Sequence, residues 1–276
     1  AEHISHLQIL MYGWMPVALW AFHRYFATGQ RMALAGFAVA FLLQGLSNGH
    51  FFYFLAVAVI VIGAIELICW VRARPVMVVD LAVTALVMFV SLAPVLAAYL
   101  DARAAHALYR TPDEILRFSA DAVSYLSASN RLAVWGEVLP QGKPEGSLFP
   151  GFGLLILAGF GLVATVVRFG NGADVTRFRR YGAAYGLVAF VGFMFSLGPE
   201  LSVAGTTVTG DGPYNWLLGS IPGLDSLRVP ARFSIIVFLA LTVLAAVGAR
   251  RLFDVLPMRV AAVLCVVFTA SFIVEG

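Results

Sequence analysis

Phe51 to Val71 reads FFYFLAVAVIVIGAIELICWV, and this stretch decides the fold. A single acid, Glu66, interrupts it, and Arg72 and Arg74 follow at once. At ~1.5 Å per residue a helix of this length covers about 31 Å, close to the ~30 Å hydrocarbon core of a bilayer. Outward from it the pattern repeats: apolar blocks of about 14 to 23 residues alternate with Arg-bearing breaks. Across the 276 residues 61 % are hydrophobic and 12 % charged, and mean hydropathy is +0.90. A soluble domain carries ~45–50 % apolar and ~25 % charged residues. The expected fold is an all-α integral membrane domain, one polytopic unit over residues 1–276.

Eight spans are expected: Leu7 to Phe26, Ala33 to Leu46, Phe51 to Val71, Val78 to Leu100, Phe152 to Phe169, Tyr181 to Leu197, Phe233 to Ala249 and Val260 to Val274. If all eight cross, one side holds Arg24, Arg31, Arg72, Arg74, Arg168, Arg177, Arg179, Arg180, Arg250, Arg251 and Arg259, and the positive-inside rule makes that side cytoplasmic. Ala33 to Leu46 would reach only ~21 Å, as a re-entrant segment would. Re-entry would put Arg177 to Arg180 outside, so charge asymmetry favours a full span. Two long segments, Asp101 to Gly151 and Gly198 to Arg232, then lie outside.

The net charge of +3 and a pI near 9.0 do not imply a nucleic-acid partner, because no basic run exceeds the Arg177, Arg179, Arg180 group. Both cysteines, Cys69 and Cys265, sit in apolar blocks and act as small hydrophobes. Ala1 to His6 has no signal-peptide pattern, and Glu275 and Gly276 end directly on an apolar block, so both ends read as cuts in a longer protein.

In the first long segment Thr111-Pro112-Asp113-Glu114 carries an N-cap, a Pro at N1 and a capping-box Glu. Ile115, Phe118, Ala122 and Leu126 recur at helical spacing, which predicts an interfacial amphipathic helix running toward Asn130. In the second, turn residues at Gly198-Pro199, Gly210-Asp211-Gly212-Pro213 and Pro222-Gly223 flank a short strand at Thr206 to Thr209. Gly182 with Gly186, and Gly151, Gly153, Gly159 and Gly161, predict close helix packing.

Several groups can carry chemistry. Glu2, His3 and His6 precede the first span, with the histidines on one helical face, yet a zinc signature would need further ligands. Asn48 and His50 sit in a tight Asn-Gly turn. Glu66 and Asp80 lie inside apolar blocks and are read as ion-paired with the Arg72 and Arg74 region, with a proton relay as the other reading. Asp121, Glu137 and Glu145 share a segment with Arg117, Arg131 and Trp135, where Arg117 and Asp121 are an ordinary i, i+4 pair. Arg228 and Arg232 bracket Pro230 at the expected outer end of the seventh span, against the charge bias, where guanidinium groups suit either a substrate phosphate or lipid headgroups.

Four segments resemble the large bacterial polytopic glycosyltransferases of the GT-C class. They are His6-Leu7-Gln8 leading into the Trp14 and Pro16 helix; Leu43-Gln44-Gly45-Leu46-Ser47-Asn48-Gly49-His50-Phe51-Phe52; Phe118-Ser119-Ala120-Asp121 with Leu148-Phe149-Pro150-Gly151; and Ser196-Leu197-Gly198-Pro199 with Arg228-Val229-Pro230-Ala231-Arg232-Phe233. The resemblance implies transfer of a sugar from a polyprenyl-phosphate carrier at the outer face of a bacterial inner membrane. Substrate would be bound among Arg228, Arg232, His50, Asp121, His3 and His6, and the catalytic acid would lie upstream of Ala1. The partners so implied are membrane lipids and the lipid-linked sugar. No cofactor is implied, and no motif supports a divalent metal. A transporter or flippase, and a non-catalytic membrane assembly subunit, are the alternatives.

Overall fold

The computed structural model describes residues 11–106, 110–166, 173–221, 224 and 227–275. It is nearly all helical, and Cα packing divides it into two compact units, Ala1–Tyr109 and Arg110–Gly276. Among the described residues four helices are long and apolar enough to cross a membrane: Gly49–Trp70, Val76–Ala105, Pro230–Val255 and Met258–Glu275. Arg31–Ser47 and Phe152–Val166 are shorter apolar helices. The chain is therefore a helical membrane protein.

The first unit holds α1 (Trp14–Thr28), α2 (Arg31–Ser47), α3 (Gly49–Trp70) and α4 (Val76–Ala105). α2 is one unbroken helix that packs against α1, α3 and α4. Phe22 of α1 meets Phe37 of α2 with ring centroids 4.5 Å apart. Buried Gln44 donates its amide to the Met11 carbonyl at 2.8 Å, tying α2 to the entry of α1. Asn48 is the N-cap of α3, its side-chain oxygen accepting from the His50 N–H at 2.9 Å and the Phe51 N–H at 3.3 Å, so what reads as an Asn-Gly turn is the start of a helix. α4 is apolar over most of its length, and Met77 is its one buried residue among those described, as for a helix facing lipid.

Glu66 and Asp80 are paired, though not with the Arg72 and Arg74 region. Glu66 is fully buried, with His23 Nδ1 3.5 Å from Oε1 and the Trp70 indole N–H donating to Oε2 at 3.2 Å. Asp80 takes the Arg31 guanidinium at 2.9 Å and the Tyr25 hydroxyl at 3.1 Å. Arg74 instead points at the Phe26 carbonyl at 3.5 Å and stacks 4.9 Å over the Trp70 ring. The packing of α1, α2, α3 and α4, invisible to sequence distance, selects these partners.

The second unit holds α5 (Pro112–Arg117), a 3₁₀ turn at Ala122–Leu126, α6 (Phe152–Val166), α7 (Ala173–Ser196), a hairpin of β1 (Leu201–Val203) and β2 (Thr206–Thr209), and α8 (Tyr214–Ser220). A second 3₁₀ turn, Pro230–Phe233, leads into α9 (Ser234–Val255), followed by α10 (Met258–Glu275). α6 and α9 touch backbone to backbone: a Cβ at Gly161 would strike the Leu244 carbonyl, and one at Gly248 the Leu157 carbonyl. Gly182 of α7 likewise admits Thr165 of α6, whereas a Cβ at Gly159 would meet nothing within 4 Å. Buried Glu275 reaches back from α10, accepting from the Gly153 N–H at 3.3 Å at the start of α6.

Candidate functional site

Thr111 caps α5 as its sequence predicts, its hydroxyl accepting from the Glu114 N–H at 3.3 Å. The helix then stops at Arg117, so the expected amphipathic helix toward Asn130 does not form. The reason is tertiary. The Phe118 carbonyl accepts from the Ala231 N–H at 3.3 Å, and the Ala120 N–H donates to the Ser196 carbonyl at 2.9 Å, which withdraws both groups from a helical ladder. Ile115 is buried, but Leu126 is 52 % exposed, so the expected apolar face is not shared.

Ala120, Leu197, Val229 and Ala231 form the buried core of this knot, with Phe118 and Leu148 packed on it. The two segment pairs around Phe118–Gly151 and Ser196–Phe233 thus meet in one place. Val229 stays out of the helical region, with φ −125° and ψ 82°, as a residue before proline should.

Asp121 is the polar pin of the knot. Its Oδ1 accepts from the Val123 N–H and the Ala204 N–H, and its Oδ2 from the Gly205 N–H, each at 2.9 Å. The Ser124 hydroxyl accepts in turn from the Asp121 N–H at 2.9 Å, closing a capping box. Ala204 and Gly205 are the two-residue turn of the hairpin, with φ of 51° and 79°. A type I′ turn of this kind favours Asn-Gly, and Ala in the left-handed region costs roughly 1–2 kcal/mol. The Asp121 carboxylate offsets that cost by accepting from both turn N–H groups. Burial works against its ionisation, but the Gly205, Val123 and Ala204 N–H groups and the Lys143 charge outweigh burial and hold the carboxyl below its ordinary range.

Beside this pin lies a cleft of about 450 Å³. The Leu116–Ser127 segment and Pro140–Lys143 line one side, and Glu200, Ser202, Ala204, Gly205 and Thr207 the other. Its polar groups are Ser119, Asp121, Ser124, Ser127, Gln141, Lys143, Glu200, Ser202 and Thr207.

The two arginines sit elsewhere. Arg232 is 14 % exposed and forks onto Glu145, Nη2 to Oε1 at 2.6 Å and Nε to Oε2 at 3.4 Å. Arg228, 42 % exposed, lies 4.5 Å over the Phe118 ring and 4.0 Å from Glu114, whose same carboxylate oxygen is 3.7 Å from Arg110. Neither lines the cleft. Arg117 turns onto the Phe118 ring at 5.7 Å and makes no i, i+4 pair with Asp121, whose oxygens are already taken by backbone. Glu137 and Arg131 are exposed, and Trp135 packs on Phe152 with ring centroids 4.9 Å apart. His50 belongs to the first unit, in the opening turn of α3. His3 and His6 lie outside the described residues.

Sequence reasoning missed Lys143 and Glu200. Lys143 did leave a signal, because it is the chain's single lysine among 18 basic residues. Glu200, directly after Gly198-Pro199, reads only as part of a turn.

Four helices of membrane-crossing length, with polar segments folded over a cleft, define the class: a polytopic helical membrane protein. Within that class, residues 9–270 match the family Domain of unknown function (DUF6311), and the chain belongs to that family. No curated protein and no solved structure matches the chain.

Proposed function

We propose that this chain is the membrane portion of a glycosyltransferase that takes a sugar from a polyprenyl-phosphate carrier at the outer face of a bacterial plasma membrane. Eight spans place Asp101 to Gly151 and Gly198 to Arg232 outside and the Arg-rich breaks inside. In the reaction the sugar's anomeric C–O bond to the carrier phosphate breaks. A new one forms to an acceptor hydroxyl, whose proton is lost to a base, and the carrier phosphate leaves. The observation that supports this reading most is the convergence of both long segments on one ordered knot that carries a polar cleft and two arginines next to the start of α9.

The arginines divide the work. Arg232 has its planar fork filled by Glu145, so it positions the Glu145 segment, and Arg228, more exposed, is the phosphate contact. The full protein reconstituted with a radiolabelled polyprenyl-phosphate hexose and an acceptor extract tests this. Label should pass to acceptor, and Arg228→Ala should cut the rate by 10-fold or more, on the order of the ~1.4 kcal/mol or above that a charge-assisted bond contributes. No transfer from any polyprenyl-phosphate sugar would overturn the reading.

One observation favours a transporter or flippase instead. Buried Glu66 with His23 between α1 and α3 has the composition of an intramembrane proton site. Proton-driven flux in vesicles that Glu66→Gln abolishes, with no transfer activity, would establish that alternative.

A further inference from the structure

We infer that the cleft between the Asp121 segment and the β1–β2 hairpin binds a neutral, hydroxyl-rich ligand, the ring of a sugar or related polyol, gripped by Lys143 and Glu200. The inference rests on the glycosyltransferase reading only for the ligand's role, the acceptor in the transfer; binding itself does not depend on that reading.

The volume of about 450 Å³ falls in the ~300–1,000 Å³ range of small-molecule sites and holds one or two sugar rings. The walls are fixed: the Asp121 carboxylate bonds both its own segment, through Val123, and the hairpin turn, through Ala204 and Gly205. The cleft is therefore formed before a ligand arrives, which lowers the ordering cost of binding.

Chemistry then selects the ligand. Among the described residues neither Lys143 nor Glu200 has an ion-pair partner, although both line the cleft. Lys143 offers only donors, Glu200 only acceptors, and Ser202, Thr207 and Gln141 offer both. Asp121 is chiefly the floor: its oxygens already accept three N–H groups, which leaves little of its acceptor capacity for a ligand. Counting Asp121 and Glu200 at −1 each and Lys143 at +1 leaves the lining at −1, which disfavours a phosphate or carboxylate. A sugar ring both donates to Glu200 and accepts from Lys143 through adjacent hydroxyls. Its C–H face has Leu116, Val123 and Pro140 to lie against.

The test uses the full chain in a detergent without a sugar headgroup. Saturation-transfer NMR is recorded with a mixture of glucose, galactose, mannose and N-acetylglucosamine, and separately with glucuronate. At least one neutral sugar should show saturation transfer, stronger than glucuronate. Glu200→Gln and Lys143→Met should each weaken its affinity 5-fold or more with little change in melting temperature, since neither residue is buried. Absence of transfer from every neutral sugar, a stronger signal from glucuronate, or affinity unchanged in both variants would overturn the inference. Sugar binding without enzymatic transfer overturns the glycosyltransferase reading alone. Transfer that persists without sugar binding, or in both variants unchanged, overturns the cleft alone.

Discussion

The two units use the same device to different ends. In the first, Gln44 ties α2 to Met11 through one buried amide; in the second, Asp121 ties two segments through one carboxylate. At the other end of the same helices lie Glu66 and Asp80, and each is taken up by a neighbour, His23 with Trp70 or Arg31 with Tyr25. Around Asp121 the charges sort differently: Arg232 and Glu145 pair, while Lys143 and Glu200, beside the cleft, make no ion pair among the described residues. In apolar surroundings a polar group without a partner costs several kcal/mol, so pairing there reports helix packing. A charge can remain unpaired at low cost only where water reaches it, and such charges are the ones to read for ligand binding.

The largest expected effect separates the backbones of the two units. Gly248→Leu in the second unit must drive α9 off the Leu157 carbonyl, a rigid obstacle, and should cost about 3 kcal/mol or more. Gly63→Ala in the first would meet only the Phe22 ring edge at 3.3 Å, which can turn aside, and should cost less than half as much. Melting in detergent of both variants measures the gap; equal losses would mean that the α6–α9 contact is no tighter than the α1–α3 one.

Next comes Asp121→Ala, with about 2–3 kcal/mol lost at pH 7 from charge-assisted bonds to backbone N–H groups. The folded carboxyl sits below its ordinary range. Its contribution is therefore complete above about pH 4 and is lost as pH falls through the folded value. Melting curves of wild type and variant should differ at pH 7 and converge as the pH falls below the ordinary carboxylate range. A gap that holds steady with pH would assign the loss to packing instead.

Smaller again is Arg232→Lys, at about 1.5 kcal/mol, because an ammonium cannot reproduce the fork onto Glu145. Asp80→Asn in the first unit, whose partner Arg31 is 74 % exposed, should cost under ~1 kcal/mol. A double-mutant cycle on each pair gives the two coupling energies directly, and the order should not reverse. Last, Thr111→Ala should loosen only α5, by about 1 kcal/mol, seen as faster amide exchange over Pro112–Arg117 without a shift in melting.

Much of this was legible in the amino-acid sequence where the signal is local. The apolar stretches at Phe51 to Val71 and Val78 to Leu100 are helices, Thr111 caps a helix, and Thr206 to Thr209 is a strand. Pro230 keeps Val229 out of the helical region, though short of fully extended. The failures share a cause. The Phe118 to Leu126 periodicity is helical, but hydrogen bonds to Ser196 and Ala231, more than seventy residues away, hold that backbone elsewhere. Arg232 looked free for phosphate because nothing local announces Glu145 as its partner. Asp121 looked like a chemical group because two of its three donors come from one distant turn, Ala204-Gly205. Local propensity reads elements, whereas the partner of a polar side chain is set by which segments fold together.

The central claim is that the segments building the knot face outward while the Arg-rich start of α7 faces the cytoplasm. Impermeant maleimide labelling of single-cysteine variants in intact cells, in a background with Cys69 and Cys265 replaced, tests it directly. Ser129→Cys should label from outside, and Thr176→Cys only after permeabilisation. Labelling of Thr176→Cys but not Ser129→Cys in intact cells would contradict the account.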